Sequence, residues 1–178
     1  AEEIEPSAGE LTADGCGSGA QAVKSTLGRG GTEKPLMTEF SRQAIRQSGY
    51  LRAGFADQYD AFRPSPPPIL LEALSRYAGS SPLRRVVDLG SGTGLSTRAW
   101  AAKTDEVVGI EPNPEMRKAA ELRTSQENVR YVEAFADRTG LESASADLVT
   151  CSQSFHWMER GPVLTEAARI LRPGGVFA

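Results

Sequence analysis

Val86-Val87-Asp88-Leu89-Gly90-Ser91-Gly92-Thr93-Gly94 is the stretch on which the reading of this chain turns. Apolar residues flank one acid and run into three glycines at alternate positions. Leu95 to Lys103 then reads as a helix. A strand, a glycine turn and a helix, in that order, form the setting in which backbone amides receive polar or anionic ligand groups. Glycines let such a turn close sharply and keep Cβ atoms out of a ligand's way.

Working outward, the same alternation continues towards the C-terminus. Glu106-Val107-Val108-Gly109-Ile110-Glu111 reads as a second strand, and Asn113 or Pro114 opens a helix to about Arg123. Val129 to Glu133 is a third strand and Ala146 to Cys151 a fourth. Pro162 to Leu171 carries apolar residues on one side at helical spacing, and Val176-Phe177-Ala178 starts a fifth strand. Short apolar strands alternating with helices predict crossover units, hence an α/β Rossmann-like, doubly wound and mainly parallel sheet. Ligands of such sheets lie beyond the carboxyl ends of the strands where strand order reverses, and the glycine turn lies there.

Glu111 ends the second strand, about 20 residues past the turn, where a carboxylate accepts hydrogen bonds from ribose hydroxyls. That device serves any nucleoside cofactor. A dinucleotide fingerprint, G-x-G-x-x-G counted from Gly90, needs a third glycine where this chain has Leu95. An NAD-dependent oxidoreductase is therefore the disfavoured alternative.

The alternating run Asp88-x-Gly90-x-Gly92-x-Gly94 resembles the first motif of class I methyltransferases. The likeness extends through Ala136-Asp137 and through Leu171-Arg172-Pro173-Gly174-Gly175, which looks like the turn before the fifth strand of those enzymes. It is closest to the small-molecule, type 11-like group related to trans-aconitate and ubiquinone/menaquinone enzymes. A Tyr-Asp-x-x-Arg-Pro motif of that group resembles Tyr59-Asp60-Ala61-Phe62-Arg63-Pro64. The resemblance implies S-adenosyl-L-methionine as cofactor and a small-molecule acceptor. Asp88, Gly90, Ser91, Gly92, Gly94 and Glu111 then become cofactor-binding candidates, with Asp137 near the adenine amino group. Asp88 stands either below the methionine portion or as a carboxylate that orders the glycine turn. Arg63 meets the cofactor carboxylate by a charge-assisted bond or is a surface arginine before a proline turn.

The segment Ser152-Gln153-Ser154-Phe155-His156-Trp157-Met158 follows the fourth strand, where the transferred methyl and the acceptor should meet. His156, the chain's one histidine, is the candidate general base. It is equally a pocket-lining residue, since transfer to an already nucleophilic atom needs no base. Class I enzymes close the sheet with two further antiparallel strands. That pair is expected to be missing, which makes the chain a C-terminally truncated domain and leaves a catalytically inactive cofactor-binding module as the second alternative.

Composition bounds the rest. The chain has 178 residues, 39% hydrophobic and 24% charged, with net charge −3 and the signs mixed. That is ordinary for a globular protein and gives no electrostatic footprint for nucleic acid or an acidic membrane. No apolar run approaches the roughly 20 residues of a membrane span. Cys16 and Cys151 suggest neither a disulfide framework nor a metal site, which fits a cytoplasmic protein. Residues 1–37, rich in Gly, Ser, Ala and Glu, read as a flexible tail, and Gly15-Cys16-Gly17-Ser18-Gly19 as linker without a preceding strand. Residues 38–81 read as a helical cap on a methyltransferase domain of residues 38–178, with Ser65 capping a helix that has Pro66 at its first position. The pattern does not fix the oligomeric state.

Overall fold

The computed structural model describes residues 62–79 and 82–178. The expectations for the tail, for Gly15 to Gly19 and for the helices around Phe40 and Tyr59 lie outside the described residues.

The described elements are α1 (Pro68–Tyr77), β1 (Leu83–Leu89), α2 (Leu95–Ala99), β2 (Thr104–Ile110), α3 (Pro114–Leu122), β3 (Val129–Val132), β4 (Ala146–Thr150), α4 (Arg160–Ile170) and β5 (Leu171–Phe177). Short 3-10 turns cover Ala101–Lys103 and Phe155–Trp157. The five strands form one sheet in the order β3-β2-β1-β4-β5, with every pairing parallel. This is the expected doubly wound architecture, and the order reverses between β1 and β4.

Successive residues of the central strands point to opposite faces and bury both. Val87, Val108 and Val149 pack on one face with Val163, Ala167 and Ile170 of α4. Val86, Val107 and Leu148 pack on the other with Leu71 of α1 and Trp100. Two-sided burial explains why β1 and β2 read as near-continuous apolar runs.

Three boundaries differ from the sequence reading. The first helix starts at Pro68, with Pro67 as its N-cap and no side-chain cap. Ser65, Pro66 and Pro67 each precede a proline, which disfavours the α region for all three, so Pro68 is the first residue free to be helical. The helix expected from Leu95 to Lys103 is α2 plus a separate 3-10 turn. Trp100, 1% exposed, sits at the break, and the chain tightens to enter β2 at Thr104. The turn read at Leu171 to Gly175 lies inside β5. There Ala146 and Leu148 of β4 face Leu171 and Val176, so the extra residues bulge out around Gly174 at φ 81°.

Candidate functional site

The carboxyl ends of β1 and β2 are tied together by the glycine turn. The Ile110 carbonyl accepts from the Gly90 and Ser91 amides at 2.8 and 3.0 Å. Gly90, Gly92 and Gly94 all have positive φ, at 68°, 56° and 78°. This is the left-handed region that explains why the alternate residues are glycine. At Gly90 a Cβ would also stand 2.7 Å from Met158 Cε and from Ser154 Cβ, so no side chain fits. At Gly94 a Cβ would run into the Tyr131 hydroxyl. At Gly92 a Cβ would meet only Met116 Cε, at 3.5 Å, so this glycine keeps open space open.

Glu111 lies just past the tip of β2 and is 8% exposed. Its Oε2 accepts from the Gly92 amide and its Oε1 from the Asn113 amide, both at 2.8 Å. A carboxylate has about four acceptor sites, so two remain. Burial raises its pKa; the Asn113 and Gly92 amides and Arg117 pull it back, and Asp88 pushes it up. Asn113 then caps α3, accepting from Glu115 and Met116, with Pro114 behind it.

Asp88 is 1% exposed at the end of β1. Thr97 of α2 donates to its Oδ2 at 2.7 Å and Thr150 of β4 to its Oδ1 at 3.0 Å. Burial pushes its pKa up to about 6 against those two hydrogen bonds. One carboxylate thus joins β1, α2 and β4 beneath the turn.

A cavity opens above this frame. Gly90, Ser91, Gly92, Asp88, Glu111, Asp137 and Arg63 all line it, although they come from four separate segments. Gly94 does not line it, and its role is the start of α2, where its carbonyl accepts from Arg98 N at 2.9 Å. Ser91 lines it, but its hydroxyl is buried without a hydrogen-bond partner, in the space that a Cβ on Gly109 would need. His156 is exposed and outside the lining; its ring lies 4.9 Å from the Trp157 indole, and Trp157 does line the cavity.

The sequence reading missed part of the wall. Pro112, Asn113 and Met116 line the cavity beside Glu111, and Phe135 precedes Asp137. Their signal was present in the Pro-Asn-Pro helix start and in the apolar residue after β3. On the far side stand Pro64, Pro66, Gln153, Met158 and Glu159. Arg63 Nη1 donates to Gln153 Oε1 at 3.3 Å across that rim. Nothing in a linear pattern brings residues 90 positions apart together.

A parallel 3-2-1-4-5 sheet with a glycine turn at its switch point, a buried acid at the tip of the next strand and a cavity above both is the arrangement of a Rossmann-like α/β domain with a candidate ligand site beyond its strand ends. Residues 87–178 match the methyltransferase domain family, and the chain belongs to that family. An uncharacterized methyltransferase of Mycobacterium tuberculosis is 36% identical over 117 residues, 66% of this chain and 46% of that protein. The Saccharomyces cerevisiae protein named "probable S-adenosylmethionine-dependent methyltransferase" is 28% identical over 138 residues, 74% of this chain and 47% of that one. A solved structure of a candidate type II methyltransferase from Anaeromyxobacter dehalogenans is 30% identical. It aligns with a TM-score of 0.59 over 65% of this chain and 47% of that chain. The chain spans about half the length of the curated relatives it matches. Among the described residues no helix is long and apolar enough to cross a membrane.

Proposed function

We propose that this chain binds S-adenosyl-L-methionine and transfers its methyl group to a small-molecule acceptor. The observation that carries the reading is Glu111. It holds the Gly92 amide at 2.8 Å, lines the cavity and keeps acceptor capacity for two hydroxyls. The residues fit an adenosyl sulfonium on two further grounds. Gly92 leaves room over the turn, and Asp88, Glu111, Asp137 and Glu159 give the lining an excess of carboxylates over the Arg63 guanidinium. A cavity of that sign favours a cationic ligand.

The cofactor supplies an electrophilic methyl on a sulfonium. Glu111 binds the ribose hydroxyls, and Asp137 with Phe135 and Met116 flanks the base. Asp88 orders the turn through Thr97 and Thr150 and adds negative charge beneath it. Arg63 meets the amino-acid carboxylate from the rim. Pro64, Trp157 and Met158 form an apolar wall that excludes water from the transfer. His156 buttresses Trp157 and is assigned no proton transfer, since an acceptor atom that is already nucleophilic needs none.

Calorimetry with S-adenosylhomocysteine and with NAD tests the cofactor. The homocysteine ligand should bind and NAD should not. Glu111→Ala should weaken binding at least tenfold, as expected when hydrogen bonds to a buried charged group are lost. A folded chain that binds NAD in preference sinks the reading. Labelled methyl recovered from a cell extract in macromolecules, and not in the low-molecular-weight fraction, sinks the acceptor class alone.

A further inference from the structure

Gln153 has φ 59° although it is not glycine. Positive φ is uncommon for such a residue and persists where neighbours on both sides force it. Here they do. On one side Cys151 N donates to the Ala178 carbonyl at 2.9 Å, extending the pairing of β4 with β5. On the other, the buried Ser154 donates its hydroxyl to the Leu89 carbonyl at 2.7 Å and packs its Cβ where Gly90 lacks one. Gln153 is therefore set between two fixed points, and its amide oxygen accepts from Arg63 Nη1.

That bond is exposed and, at 3.3 Å, long for its type. An exposed side-chain bond of this kind adds little to folding, so the strained backbone is poorly explained as a stability device. It is well explained as a means of aiming a side chain. Arg63 comes from the segment before α1, where Pro64, Pro66 and Pro67 stiffen the chain.

We infer that Gln153 is a positioning residue, which holds the Arg63 guanidinium over the cavity for the carboxylate of the bound ligand. The inference rests on the cofactor reading above. It adds a residue that is expected to act through Arg63 and without contact to the nucleoside.

The test compares S-adenosylhomocysteine with 5′-methylthioadenosine, which keeps the nucleoside thioether and lacks the amino-acid carboxylate. Binding of each to the full chain is measured by calorimetry. Arg63→Ala should weaken the homocysteine ligand about tenfold and the methylthio ligand less than twofold. Gln153→Ala and Gln153→Gly should give the same selective loss, several-fold in size, and the double variant R63A/Q153A should be no weaker than R63A. Gln153→Gly suits its backbone angle, so an unchanged or higher Tm shows that the loss is not unfolding. Wild-type affinity in both Gln153 variants, equal losses for both ligands, or a double variant whose loss is the product of the single losses would each overturn the inference. A wild-type chain that binds neither ligand overturns the cofactor reading, and the inference with it.

Discussion

The two walls of the cavity are built by opposite means. On the β1–β2 side every residue with positive φ is a glycine, and short bonds of 2.8 to 3.0 Å link the turn to Ile110 and Glu111. On the β4–α4 side the positive φ falls on Gln153, and one long side-chain bond reaches Arg63. The first wall is specified by backbone geometry and tolerates almost no side chain. The second is specified by side chains from distant positions and can vary without disturbing the sheet.

The comparison breaks most easily at Gly90. A side chain there adds backbone strain to a collision with Met158 and Ser154, each mechanism worth about 1–3 kcal/mol. Gly90→Val should lose about 3–5 kcal/mol in urea unfolding, along with all measurable S-adenosylhomocysteine binding. Gly92→Ala sharpens the point, because its Cβ has space and only the angle is wrong. It should lose about 1 kcal/mol of stability, yet weaken binding at least tenfold. Near-native affinity in Gly92→Ala would remove the turn from the ligand's path.

Next in size is the pH response. The carboxyl of Asp88 is raised from 3.8 to about 6 in the folded chain, so between those values the folded state holds a proton that the unfolded state has lost. Stability should fall as pH rises across this window, by about 3 kcal/mol. Glu111, also raised, adds in the same direction. Glu166 of α4, which does not line the cavity, has the opposite sign. Burial raises it, but Arg169 and the Thr139 hydroxyl and amide outweigh burial and hold it at about 2. Its contribution is complete above 4.5 and is lost as pH falls through 2. Unfolding free energies measured from pH 3 to 7 should therefore slope downward between about 4 and 6, and Asp88→Asn should flatten that slope. A slope of the same size in Asp88→Asn would show that another group carries it.

The difference between the walls also governs what the sequence revealed. The five strands, the turn and Glu111 were legible because each rests on contiguous residues, such as paired valines, alternate glycines or an acid at a strand tip. The proline run is legible too: Ser65, Pro66 and Pro67 all precede prolines, which shifts the cap from Ser65 to Pro67. The bulge in β5 was not legible, since Pro-Gly-Gly reads as a turn until its pairing with β4 is known. His156 and Gly94 looked like lining residues by position, but His156 is exposed beside Trp157 and Gly94 packs against Tyr131. The strain at Gln153 left no mark at all, because no glycine announces it.

The smallest predicted effect is the most discriminating. Ala144 is the other described non-glycine residue with positive φ, at 51°. It is exposed in the loop before β4, and its amide donates to the Arg169 carbonyl at 2.9 Å. Ala144→Gly and Gln153→Gly relieve the same kind of backbone strain, worth about 1 kcal/mol, and both raise the entropy of the unfolded chain by somewhat less. Each should therefore gain about 0.5 kcal/mol, or roughly 1–2 °C in Tm for a chain of this size. If the rim wall works by aiming a side chain, only the Gln153 change should separate S-adenosylhomocysteine from 5′-methylthioadenosine, because Ala144 does not line the cavity. Equal gains in Tm with a binding change confined to Gln153→Gly would separate strain kept for a purpose from strain that is merely tolerated. A binding change in both variants would mean that loosening either loop disturbs the sheet edge, and the contrast between the two walls would fail.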